Sequence, residues 1–301
     1  MTNVSDYPQQ THLVALCTLS GVSPRLFDLL FARYGETEKI LKANKASLLK
    51  IDGMSSAQAG RITSAKDRLE DARRLLTRLE ERDITVVTFF DRNYGELLSE
   101  LNDPPPILFV RGSMPDRNEK SVTLIGTESA TAPGIELTTE LARRFGQAGV
   151  QVISSLRGGI DAAAHLGARA GGGTSYAVID TGFDRLSDEK TMPLAIDIVE
   201  HGGVISEYAP DHKATQDTLE QSNRLLVGLS QAVVVTEVYG DSDKTLDLLS
   251  FCRMIGKMAF MMVDPDQGAF ADEKSLQKAL EYGALPMKGL EHTEDIIRSL
   301  V

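Results

Sequence analysis

Between about residues 9 and 82 the apolar positions recur three and four apart, in 12–19, in 25–35 and in the long run from Ala57 to Leu79. That is the period of a helix burying one face, and it predicts a small bundle. Two breaks interrupt it, Leu19-Ser20-Gly21-Val22-Ser23-Pro24 and Ile51-Asp52-Gly53-Met54-Ser55. Each offers a glycine for a turn and a serine whose hydroxyl can cap the next helix.

Past residue 83 the period changes. Ile84–Phe90 is rich in β-formers, and Pro104, Pro105 and Pro106 form a stiff extended connector before the strand-like Ile107–Gly112. From Ser121 onward a strand, a glycine-bearing turn and a helix repeat. The expected strands are Val122–Gly126, Val150–Ser154, Ser175–Asp180, Val204–Glu207, Ala232–Val238 and Met258–Val263. They are continuous apolar runs, as parallel strands covered on both faces require. The alternation predicts an α/β protein, a doubly wound Rossmann-like domain preceded by a small helical domain. The expected organisation is a helical domain over 1–82, a linker with short strands over 83–118 and the Rossmann-like domain over 119–301.

In such sheets ligands bind outside the carboxyl ends of the strands, which selects the turns that carry chemistry. Gly126 and Thr127 end the first strand, and the next helix could hold a phosphate on its N–H groups. Glu128 follows them directly. After the second strand come Arg157, Gly158, Gly159 and Asp161. The glycines bring backbone N–H groups to a ligand, Arg157 neutralises it, and Asp161 caps the helix that follows. His165, one turn on, reads as buried and hydrogen-bonded rather than catalytic. Asn223 and Arg224 ride on a later helix, facing the cleft or, for Arg224, forming a surface salt bridge. Lys244 and Thr245 begin a helix after a strand, but the G-x-x-x-x-G-K spacing of a phosphate loop is broken. G-x-G-x-x-G is missing as well, so no cofactor is expected. No Ser/His/Asp triad, H-E-x-x-H pair or cysteine nucleophile can be assembled, so the pattern points to ligand binding, not turnover.

Composition narrows this. The chain has 301 residues, 42% hydrophobic and 25% charged, enough apolar mass for two domains and too much for a disordered chain. No apolar run spans a membrane, and the N-terminus lacks the features of a secretory signal. Cys17 and Cys252 lie far apart, which fits a reducing cytoplasm and gives no cysteine metal site. The net charge is −11, and residues 1–118 hold 16 basic and 16 acidic side chains. The whole imbalance therefore falls on 119–301, where an anion must be held by a local pocket against the wider field.

The two glycine breaks resemble helix-hairpin-helix turns, which present N–H groups to a DNA phosphate; plain bundle corners are the other reading. The order of the turns resembles the DNA-processing protein A (DprA/Smf) family from about residue 10 to 265. The match rests on Asp91, Tyr94 and Leu97, on 103–112, Gly126–Thr127, 154–165, 180–184, Ile205–Glu207 and 223–230. The resemblance implies a SAM-like helical domain, a Rossmann-like domain and cytoplasmic binding of single-stranded DNA in natural transformation. It also implies a homodimer and delivery of the strand to a strand-exchange recombinase. The winged-helix domain of many relatives is expected to be absent, since about 35 residues follow position 266. Departures gather at the expected site. Where the family has Gly-Ser-Arg, this chain has Glu128 at the arginine. Where it has Ala-Arg-Gly, Gly158 takes the arginine position and Arg157 precedes it. Where it has Arg-Asn-Arg, Ser222 replaces the first arginine, and Lys244 is gained nearby. A second reading follows from those departures: a nucleotide-binding sensor or nucleotide-processing protein holding one small phosphate.

Overall fold

The computed structural model describes residues 4–186, 191–239, 243–263 and 271–300, with the side chains of Asp243 and Lys244 outside that description. The chain divides into two compact units. One takes in Met1–Tyr94 and Asn102–Val110, the other Gly95–Leu101 and Arg111–Val301.

The first unit is helical where the apolar period is. Helices cover Pro24–Tyr34, Thr37–Lys42, Ser56–Ser64 and Leu69–Glu80, and Leu13, Leu16, Leu30, Ile40, Leu48, Ile62 and Leu69 are buried. Both glycine breaks turn as their residues dictate: Gly21 and Gly53 have φ of 66° and 75°. Ser23 accepts from the Leu26 N–H, and Ser55 forms a reciprocal capping box with Gln58. The run Ala57–Leu79 is not one helix; a 3-10 turn over Ala65–Arg68 divides it. Ala65 and Leu69, four apart across the divide, are both buried. Strands β1 (Thr85–Thr88) and β2 (Ile107–Gly112) pair antiparallel, Thr85 opposite Val110 and Thr88 opposite Ile107. The intervening prolines are anchored by the Tyr94 hydroxyl, which donates to the Pro105 carbonyl at 2.8 Å.

The second unit holds β3 (Ser121–Ile125), β4 (Gln151–Ser155), β5 (Ser175–Ile179), β6 (Gly203–Ser206), β7 (Ala232–Val235), β8 (Met258–Met262) and β9 (Leu285–Met287). Their order is β6-β5-β4-β3-β7-β8-β9, with every described pairing parallel. The six expected strands are present within one to three residues at each end. β9 is an addition, too short for its apolar content to stand out. Helices cover both faces. Val122 and Leu124 pack with Leu137, Leu141, Phe145 and Ala164 from the helices Ala132–Gln147 and Ile160–Ala170. Thr123 points the other way, its hydroxyl donating to the Leu226 carbonyl in the helix Gln216–Gly228 at 2.8 Å. That is the doubly wound Rossmann-like arrangement. The chain winds outward from β3 through β6, then resumes on the other side with β7. The sheet reverses at β3, so the crevice must open where β4, β3 and β7 end.

Candidate functional site

The turn after β3 is held from both sides. The Thr127 N–H donates to the Glu237 carbonyl past the end of β7 at 2.8 Å, and the Ile160 N–H donates to the Thr127 carbonyl at 3.1 Å. Thr127 is buried, whereas Glu128 is exposed. The Glu237 carboxylate, fully buried, accepts from the Thr131 N–H (3.0 Å), the Thr131 hydroxyl (2.6 Å) and the Tyr239 hydroxyl (2.9 Å). Thr131 also caps the helix that starts at Ala132. Glu237 thereby fixes the loop that brackets Glu128, a role its place in a turn did not disclose.

The turn after β4 carries the backbone chemistry. Gly158 and Gly159 have φ of 108° and 52°, and a Cβ on Gly159 would meet the carbonyl oxygens of Thr127 and Glu128. Only glycine fits both the backbone and the space. Among the described residues neither the Gly158 nor the Gly159 N–H has a hydrogen-bond acceptor. They stand at the entry to the helix Ile160–Ala170, where the first N–H groups have no partner within the helix and a partial positive charge gathers.

Beneath them lies a polar chain. The Arg157 Nε donates to the Ser155 hydroxyl at 2.8 Å, and that hydroxyl donates to Asp161, which also accepts from the Gly126 N–H at 3.3 Å. The Arg157 Nε lies 3.6 Å from the Asp161 carboxylate, and the Arg157 side chain keeps 27% of its surface exposed. Its Nη2 is buried and has no hydrogen-bond partner among the described residues. Burial pushes the Asp161 carboxyl above its ordinary range, while Arg157 and Ser155 pull it back. Asp161 does not cap the helix, as its position led one to expect: the N-cap is Gly159, no side chain caps it, and Asp161 sits one residue inside the first turn, where it ties β3, β4 and Arg157 together. Ser155 is the member of this chain that sequence reasoning missed; a serine closing an apolar strand was its only signal. His165 is buried, its Nε2 2.9 Å from the Ser155 carbonyl, and burial lowers it to about 4. It is a structural histidine, as its setting in a small-residue helix leads one to expect.

Asn223 and Arg224 lie elsewhere. Both are buried in the helix Gln216–Gly228, and the Arg224 side chain is 2% exposed. Its Nη2 donates to Glu207, past the end of β6, at 2.7 Å, and its Nε donates to Gln221 at 2.8 Å. The pair is a buried one, not the surface bridge or open cleft face that spacing left as alternatives. Thr245 is buried in the helix Asp243–Ile255. Lys244 begins the same helix, and its side chain lies outside the described residues. The structure therefore brings together Gly126, Thr127, Arg157, Gly158, Gly159 and Asp161, and sets Asn223 and Arg224 into the wall of the fold.

A parallel doubly wound sheet with a glycine turn beside its reversal point defines a Rossmann-like protein. More particularly, residues 85–298 match the profile of DNA recombination-mediator protein A, and the chain belongs to that family. A Smf protein of Synechocystis is 28% identical over 233 residues, 76% of this chain and 58% of the relative. The DNA processing protein DprA of Streptococcus pneumoniae is 31% identical over 150 residues, 50% of this chain and 53% of the relative. The chain spans about half the length of the curated relatives it matches. An X-ray structure of S. pneumoniae DprA superposes with a TM-score of 0.80 at 20% identity, covering 98% of this chain and 99% of that one. A structure of Helicobacter pylori DprA, described for its single-stranded DNA binding mode, superposes at 0.61 and 19% identity, covering 72% of this chain and 97% of that one. Among the described residues no helix is long and apolar enough to cross a membrane.

Proposed function

We propose that this protein binds single-stranded DNA at the carboxyl edge of its parallel sheet and acts as a recombination mediator. The observation that carries it is the pair of unacceptored N–H groups on Gly158 and Gly159, backed by a helix N-terminus and flanked by Arg157. Such a nest suits one phosphate of a strand. Gly126 and Thr127 line it, Asp161 and Ser155 position Arg157, and Lys244 and Thr245 lie in the first turn of the helix after β7, the strand beside β3. Asn223 and Arg224 support the wall. The site binds and does not turn its ligand over, and the protein works in the cytoplasm as a homodimer that passes the strand to a strand-exchange recombinase. A free nucleotide would offer the same phosphate; kinship with DNA-processing proteins favours the strand.

The test is fluorescence anisotropy of a labelled single-stranded oligonucleotide at low and moderate salt. The parent should bind, more weakly as salt rises, and Arg157→Ala should cost about tenfold, the worth of one charge-assisted contact. A parent that binds no oligonucleotide at low salt would overturn the assignment.

A further inference from the structure

The turn after β6 carries an aromatic pair that the phosphate nest does not use. Tyr208 and His212 stack with ring centroids 4.7 Å apart and planes inclined by 16°. The other ring pairs among the described residues lie in the first unit, around Phe31, Phe89 and Phe90. Tyr208 is half-buried and its hydroxyl donates to the Thr218 carbonyl at 3.4 Å, whereas His212 is exposed. One face of the imidazole is thus backed by the Tyr208 ring, and His212 itself is exposed.

The backing is rigid. The His212 N–H donates to the Ala209 carbonyl (2.9 Å), the Gly182 N–H to the His212 carbonyl (2.9 Å) and the Asp184 N–H to the Pro210 carbonyl (2.7 Å). Gly182 has no room for a Cβ, which would strike the carbonyls of Ala209 and Pro210. An exposed ring held this firmly loses little further freedom when a flat ligand stacks on it. Its place matters too. Only β5 separates β6 from β4, so the pair stands on the same carboxyl edge of the sheet as the glycine nest. A strand whose phosphate sits at Gly158 and Gly159 can deliver a base to that point. Arg185, whose Nε donates to the Asp211 carbonyl at 3.0 Å, and the exposed Lys213 flank the ring and offset the acidic surroundings.

We propose that Tyr208 and His212 form a stacking platform for one unstacked nucleobase of a bound single strand, with His212 as its exposed member. The platform rests on strand binding at the sheet edge and adds to it a sequence-tolerant contact that does not depend on charge.

The experiment compares an oligonucleotide with an abasic strand of equal length, using the full chain and its His212→Ala and His212→Phe variants. His212→Ala should weaken binding of the base-bearing strand by about fivefold or more, leave the abasic strand unchanged, and keep the parent's melting temperature. His212→Phe should retain the parent's affinity for both strands. If His212→Ala matches the parent on the base-bearing strand, or loses equally on both, there is no platform, although strand binding stands. If the parent binds neither strand, strand binding fails and the platform with it.

Discussion

Glu128 is exposed, and its Cγ lies 3.7 Å from where a Cβ on Gly158 would stand, so its carboxylate borders the glycine nest. A negative charge there opposes a phosphate, and among the described residues no side-chain hydrogen bond or ion pair holds it. Glu128→Arg should therefore raise oligonucleotide affinity several-fold and steepen its salt dependence by close to one counterion, read from anisotropy titrations over a salt series. Unchanged affinity would move the phosphate away from this turn. His165 tests the same turn from inside. Its ordinary value is near 6.5 and burial lowers it to about 4. Between those values the unfolded chain holds a proton that the folded one refuses. Stability should consequently fall as pH drops from 6.5 toward 4, by up to about 3 kcal/mol. His165→Gln, which keeps a donor for the Ser155 carbonyl, should flatten that slope in urea titrations at several pH values; an equally steep slope would place the acid sensitivity elsewhere. At this scale the sequence is informative where backbone decides. Gly158 and Gly159 had to be a turn, because paired glycines after an apolar strand have few other uses. It is less informative where partners decide. Arg224 and Arg157 look alike in the chain, and only the fold puts one in the wall and the other at the opening.

The elements were legible to different degrees, for physical reasons. Strands buried on both faces advertise themselves as apolar runs, and β3 through β8 do so. β9, with Leu285, Pro286 and Met287, carries too few residues to be distinguished from a loop. The helix Gln216–Gly228 is the instructive case. Its sequence contains the resembled asparagine and arginine, and the residues read as ligand-facing or surface-paired. In the fold, Ser222, Asn223, Arg224, Leu225 and Leu226 are all buried, because the helix lies between the sheet and neighbouring elements and turns several faces inward. The Arg224–Glu207 pair then links this helix to the turn after β6, with exposures of 2% and 10%. Removing one partner of a buried pair strands the other charge, which costs about 3–5 kcal/mol. Arg224→Ala should lower the melting temperature sharply, and any loss of strand binding should track the unfolded fraction. A variant that melts like the parent but no longer binds would make Arg224 a direct ligand contact instead. Because Glu207 precedes Tyr208, the same variant should also loosen the aromatic pair.

The charge of the whole molecule sets the terms on which a strand approaches. All of the net −11 belongs to residues 119–301, and the sheet edge lies within that stretch. At about 0.1 M salt the field of those carboxylates decays over about 10 Å, so a polyanion meets repulsion until it is nearly in contact. Binding must then come from short-range groups: backbone N–H donors, a guanidinium and a ring face. Each behaves differently toward salt. A lysine or arginine on a phosphate releases a counterion, with a slope near −0.7 per single-strand phosphate, whereas N–H donors and stacking release none. Arg157 at the nest, with Arg185 and Lys213 beside the rings, could neutralise three phosphates between them. The slope of log affinity against log salt should accordingly be no steeper than about −2, and screening of the acidic field should make it shallower still at the lowest salt. Anisotropy titrations from low to moderate salt measure it directly. A slope of −4 or steeper would require a track of cations that the described part of this edge does not contain, and the strand would then have to run over a different face of the protein.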